Sequence, residues 1–310
     1  MEEPHYKSIN PLVLVLFVFL LSMCSGMLFS FLGAQLISFL YGLSLFGEDL
    51  ALLQSSTYEH VREVNLILVV CQHIGAFILP ALIVNQHMRK RGILFIRWEK
   101  PETMPLLWAV LCMLATVPLI GLLAALNEGI SFPESMQSLE HSLRVMEDTA
   151  AELTEVLLTT NSFGGLLVNL LVIACVPAIG EELLFRGVLQ QLFTRWRNNI
   201  HLGIWLSALL FSLLHMQFYG FFPRMLLGGL LGYLFYYTGN IWVPIAAHFI
   251  NNAFAVILTF CIHQGWVDAY WGSVGSDATA WWMVLISLLL SLFLFYKVIT
   301  QAKQHTHDNR

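Results

Sequence analysis

The chain has 310 residues, 57% of them hydrophobic and only 11% charged, with a mean hydropathy of +0.71 and a formal net charge of −5. A soluble protein of this length needs a far more charged surface, so the composition points to a polytopic membrane protein. The acidic balance leaves no footprint for nucleic acid.

Taken in order, apolar stretches near the roughly 20 residues of a spanning helix fall at about 12–46, 64–84, 104–126, 162–180, 201–218, 221–238, 241–261 and 280–299. The first is overlong and must tilt, kink or extend beyond the bilayer, and the fifth and sixth are short. The expected fold is an all-α transmembrane bundle of eight spans. Lys7, then Arg89, Lys90, Arg91, Arg97 and Lys100, then Arg195 and Arg197, and finally Lys297, Lys303 and Arg310 fall on one side. Glu48, Asp49, Glu59, Glu63, the acids between Glu128 and Glu155, Asp268 and Asp277 fall on the other, with Arg62, Arg144 and Arg224 the exceptions. The positive-inside rule therefore places both termini in the cytoplasm.

The first apolar run is too long for a signal-peptide core and shows no clear small-x-small site, so it is expected to be retained as a span. Composition divides the chain into residues 1–160, apolar helices with an acidic external loop, and 161–310, which carry the polar motifs. Within the dividing loop, Ser135 to Leu158 spaces Met136, Leu139, Leu143, Val145 and Met146 near a helical period. It reads as an amphipathic helix on the outer membrane surface or as a solvated helical loop. Cys24, Cys71, Cys112, Cys175 and Cys261 lie in or beside apolar segments with no pairing pattern, so they are expected as packing residues. Gly228-x-x-x-Gly232 predicts a close helix contact.

Three polar clusters interrupt the apolar second half: Glu181-Glu182-x-x-x-Arg186, Phe211-x-x-x-His215 and His248-x-x-x-Asn252. Ionisable groups in hydrocarbon are costly and normally face a protein interior or a water-filled cavity. Neighbouring helical residues point about 100° apart, so Glu181 and Glu182 cannot share a role. Glu182 and Arg186 stand at i and i+4, where carboxylate and guanidinium meet. Glu181 then projects elsewhere, with no partner in its own helix, as a general acid or base would. Pro177 and Gly180 allow the helix to bend or restart, which would put Glu181 in a first turn. His215 reads as a hydrogen-bonded structural residue or as a catalyst. His248 and Asn252 share one face and offer two donors for an oxyanion, or a polar contact between helices. Asn251 points away from the His248 face. One shared cavity accounts for all three clusters most cheaply.

Other intramembrane chemistries lack their signatures. His-Glu-x-x-His is absent, and no Asp lies in an expected span, which argues against paired aspartates. Gly272-Ser-Val-Gly-Ser276 reads as a turn rather than a serine-nucleophile loop.

In the order and spacing of these clusters, with 29 residues from Arg186 to His215 and 33 from His215 to His248, the chain resembles the CAAX protease and bacteriocin-processing (CPBP, or Abi) family of intramembrane endopeptidases. The resemblance covers roughly residues 162–260. It implies an all-helical core around a cavity open to the cytoplasm. Glu181 and His215 would activate water, His248 and Asn252 would stabilise the oxyanion, and Glu182 and Arg186 would brace the helix carrying Glu181. Members have been described both as metalloproteases and as metal-free glutamate-dependent hydrolases. Either no cofactor is expected, or a divalent metal such as zinc held by Glu181, His215 and His248, with metal-free water activation preferred. The expected partners are a peptide or membrane-protein substrate and membrane lipid, in a bacterial cytoplasmic membrane. A non-catalytic membrane scaffold with the same fold and a proton-coupled transporter are the alternatives.

Overall fold

The computed structural model describes residues 10–44, 58–89, 96, 98–276 and 281–308. Lys7, Glu48, Asp49, Lys90, Arg91, Arg97, Asp277, Arg310 and the side chain of Arg89 lie outside the described residues. All regular structure among the described residues is helical. That is the solution a single chain reaches when lipid cannot satisfy its backbone. The helices are α1 (Pro11–Tyr41), α2 (Val61–Met88), α3 (Thr103–Ala115), α4 (Val117–Glu128), α5 (Gln137–Leu158), α6 (Phe163–Arg197), α7 (Ile200–Leu213), α8 (Phe221–Thr238), α9 (Trp242–His263) and α10 (Trp281–Asp308).

Six of these are long and apolar enough to cross a membrane: α1, α2, α6, α8 with the short turn before it, α9 and α10. The pair α3–α4, bent by 41°, makes a seventh if counted as one span. The eight expected spans therefore become six or seven by length. The bend falls at Val117-Pro118, where proline lacks the N–H that would reach back one turn. The expected span that falls short is α7. Its 14 residues rise about 21 Å against a hydrocarbon core of about 30 Å. It ends because Met216 takes a left-handed conformation, φ 55°, which leaves His215 at the helix's C-terminal end.

α6 is the central post. Nearly every residue from Pro177 to Gln190 is buried, as expected of a helix surrounded by protein. Leu183, Phe185, Val188 and Leu192 pack with Val18 of α1, Val84 and Met88 of α2 and Phe211 of α7, so both halves of the chain share one core. The outermost helices face the other way: α1 and α10 expose rows of Leu and Phe, with Phe39 at 86%. Of the two outcomes that Pro177 and Gly180 allow, a bend or a restart, α6 does not restart. It runs on and widens into π geometry at Leu170–Cys175, ending two residues before Pro177, and again at Phe185–Leu189. α2 does the same at Ile74–Ile78. Widened turns of this kind relieve a proline within a helix and recur at functional sites. Glu181 thus sits deep within α6, not in a first turn.

The small-residue motif brings α7 and α8 together. A Cβ on Gly228 would lie 3.1 Å from the Ala208 backbone, and one on Gly232 would lie 2.8 Å from Ile204. α5 forms over the expected segment and is fastened to the bundle at two places. Its Glu147 accepts from Gln217 Nε2 (3.1 Å) and the Tyr219 amide (3.2 Å), beside the His215 turn. Its C-terminal end is clamped by Arg62 of α2, which donates to the Leu157 carbonyl and to Asn169 Oδ1 (2.6 Å), and by Asn169, which donates to the Leu158 carbonyl. Leu139, Val145 and Met146 remain exposed. The five cysteines are free, and Gly272–Ser276 forms a turn in which Gly275 has φ 92°.

Candidate active site

The polar clusters converge from three helices. Arg186 and Glu182 of α6 are 1% and 0% exposed. Arg186 donates from Nη1 to Glu182 Oε1 at 2.6 Å and from Nη2 to the Gly228 carbonyl of α8 at 2.8 Å. The second of these bonds uses a carbonyl that only a glycine-faced α8 leaves within reach. Glu182 Oε1 is also 2.8 Å from His248 Nδ1 of α9. A carboxylate only accepts, so Nδ1 carries the proton and Nε2 is the free ring nitrogen. Glu182 therefore has two duties: it neutralises Arg186, and it fixes the ring of His248. The second duty depends on tertiary packing and leaves no mark on helical spacing. Glu182 Oε2 and Arg186 Nε have no protein partner.

That ring orientation turns His248 Nε2 toward Glu181 Oε2, at 3.8 Å. Glu181 is 7% exposed and, as its position in the motif implies, has no partner in its own helix. Its other oxygen, Oε1, lies 3.4 Å from Nε2 of His73, at the end of the first α-helical stretch of α2. His73 donates from Nδ1 to the Val69 carbonyl (2.8 Å) and stacks on Phe77 with ring centroids 5.3 Å apart. Sequence reasoning passed over His73, although it is an ionisable residue within the apolar run 64–84. The criterion that singled out His215 would have found it.

His215 is exposed at the end of α7 and donates from Nδ1 to the Phe211 carbonyl at 2.7 Å. Phe211 is the hub of the arrangement. Its ring meets those of His215, Phe185 and His248 edge-on at 5.0, 5.2 and 5.9 Å, and the Arg186 guanidinium lies 5.2 Å from its centre. His215 and His248 both interact electrostatically with Glu181. Asn252 lies one turn beyond His248, and its Oδ1 accepts from Asn251 Nδ2 at 3.2 Å. Asn251, read from sequence as pointing away, thus orients the Asn252 amide and leaves its Nδ2 to donate.

His215 and His248 each commit Nδ1 to an acceptor and keep Nε2 free, the habit of histidines that bind metals, whereas His73 holds Val69 with Nδ1 and faces Glu181 with Nε2. Yet among the described residues no three His, Cys, Asp or Glu side chains are gathered closely enough to hold a metal ion. As placed, Glu181, His215 and His248 do not form such a set, and no step below is routed through one.

With the geometry in place, comparison with known proteins becomes informative. Residues 163–254 match the family model described as type II CAAX prenyl endopeptidase Rce1-like. The matched stretch contains all three motifs and excludes His73. Among curated proteins, the chain is 35% identical over 89 residues to the uncharacterized protein YpbD of Bacillus subtilis (strain 168), a match covering 27% of this chain and 42% of that protein. The match spans less than half the length of that relative. No solved structure gives a significant match. The Rce1-like segment thus lies in a chain with several helices long and apolar enough to cross a membrane.

Proposed function

We propose that the protein is an intramembrane endopeptidase that hydrolyses a peptide bond in a peptide or membrane-associated protein by metal-free activation of water. One observation carries the reading: Glu182 Oε1 binds Arg186 and His248 together, so His248 Nε2 points at the one carboxylate of the motif that lacks a partner in its own helix. Glu181 is the general base. It takes a proton from water as the water oxygen adds to the scissile carbonyl carbon, and it returns that proton to the amide nitrogen as the C–N bond breaks. His215, with Nε2 free, helps to hold the water. The Asn252 amide donates to the oxyanion as it forms, and His248 donates beside it when Nε2 also carries a proton. Glu182 compensates the charge of His248 when its ring carries two protons, and Arg186 holds the buried Glu182 carboxylate in place at 2.6 Å.

Burial of Glu182 and Arg186 at or near 0% exposure supports catalysis over a scaffold, because a scaffold gains nothing from so costly a set. The substrate is read as a peptide precursor or a CAAX-like or membrane protein, and the setting as a bacterial cytoplasmic membrane. The test is a comparison of peptide termini in membranes carrying wild type, Glu181→Ala or His215→Ala, with each variant checked for folding. New termini should appear with wild type and vanish with both variants. Identical termini in all three would end the reading.

A further inference from the structure

Glu181 needs an orientation that its own helix does not supply. The terminal torsion of a glutamate is broad, so a lone carboxylate samples many orientations, and fixing one oxygen fixes the other. Oε2 is the oxygen that faces His248; Oε1 faces His73 Nε2 at 3.4 Å.

His73 is well placed to anchor it. With Nδ1 held by the Val69 carbonyl and its ring stacked on Phe77, the imidazole has one orientation, and its side chain is only 15% exposed. α2 is held against α6 at two levels. Above, Arg62 reaches Asn169 at 2.6 Å; at the site, a Cβ on Gly180 would lie 3.2 Å from both Phe77 and Ile78, so glycine permits the approach that brings Nε2 to Glu181.

We infer that His73, from a helix outside the family-matched segment, is a positioning residue that fixes the Glu181 carboxylate for proton transfer; the inference rests on Glu181 being the reacting group. Its ring faces an acceptor at each nitrogen, the Val69 carbonyl at Nδ1 and the carboxylate at Nε2, so it acts with both protons in place: Nε2 donates to Oε1 and so presents Oε2 to the water and His248.

The test uses the full chain in lipid nanodiscs, with peptides cut by wild type and spared by Glu181→Gln as substrates. His73→Phe keeps a ring to stack on Phe77 and loses both nitrogens. His73→Gln loses the ring but restores an N–H donor at similar reach. His73→Phe is expected to lower kcat by about 10- to 100-fold, the range of a hydrogen bond to a charged group, with KM little changed. His73→Gln should recover most of that loss. A second readout needs no turnover: labelling of Glu181 by dicyclohexylcarbodiimide, followed by mass spectrometry, should be faster in His73→Phe than in wild type or His73→Gln. Wild-type kcat in His73→Phe, a loss carried by KM, or a Gln variant no better than Phe would overturn the inference. Equal labelling in all three proteins overturns it whatever the activity. If wild type cuts nothing but labelling still follows His73, the proposed reaction fails and the positioning contact stands.

Discussion

Replacing Arg186 by methionine would leave Glu182, with no exposed surface, facing an interior that cannot solvate it. The variant loses the 2.6 Å bond to Glu182 and the 2.8 Å bond to the Gly228 carbonyl. Breaking a buried pair by removing one partner costs about 3–5 kcal/mol, and the lower end applies here because His248 Nδ1 still donates to the stranded carboxylate. Glu182→Gln strands the guanidinium instead and should cost a similar amount. Replacing an entire buried pair by neutral groups of similar volume is commonly close to neutral. The double variant Glu182→Gln/Arg186→Met should therefore lie within about 2 kcal/mol of wild type, well below the roughly 6 kcal/mol sum of the single losses. Unfolding in mixed detergent–SDS micelles, followed by circular dichroism, measures all four corners of this cycle. Cleavage gives the second half of the test: the double variant recovers stability but not activity, because His248 has lost its charged partner. Additive single losses would show that the pair does not couple. Recovery of cleavage along with stability would show that the hold of Glu182 on His248 is immaterial.

Gly232→Ala would place a methyl 2.8 Å from Ile204 and from Gln190 Oε1, so about 1–3 kcal/mol of overpacking is expected in the same unfolding assay, and an unchanged stability would contradict the close α7–α8 contact. Cleavage should survive dialysis against EDTA and 1,10-phenanthroline, since Glu181, His215 and His248 are not gathered as a metal set; loss of activity restored by zinc would overturn the metal-free mechanism. On the surface helix α5, the Phe132 amide and then Arg144 hold the Glu140 carboxyl below its ordinary range. A carboxyl lowered in the folded state stabilises it above the unfolded pKa and loses that contribution as pH falls through the lowered value. Hydrogen exchange at the Phe132 amide should therefore show less protection in acid than intrinsic rates account for, and Glu140→Gln should remove this pH dependence.

The sequence made the chemistry legible where helical spacing alone decides it. Glu182 and Arg186 meet as i and i+4, Glu181 projects away from them, and the two glycines of α8 let α7 approach. What depends on packing between helices was not legible. The bond from Glu182 to His248 joins residues 66 positions apart, and the contact of His73 with Glu181 spans 108. The length of α7 was misread for a local reason. Hydropathy runs smoothly through residues 201–218, while the helix is stopped by a left-handed methionine, a residue that gives no such warning. Pro177 signalled a disturbance in α6, but a widened turn and a restart begin from the same proline.

The widened turns set the phase of the site. His73 follows Arg62 by 11 residues on α2, whereas Glu181 follows Asn169 by 12 on α6, yet both pairs touch. The extra residue lies in the stretch that contains Leu170–Cys175, and in an ordinary α-helix one residue is worth about 100° of rotation. The two helices therefore keep step because one of them carries a surplus residue. Deleting a single position there would leave α6 nearly as long and just as apolar, while turning Glu181 away from His73 and His248.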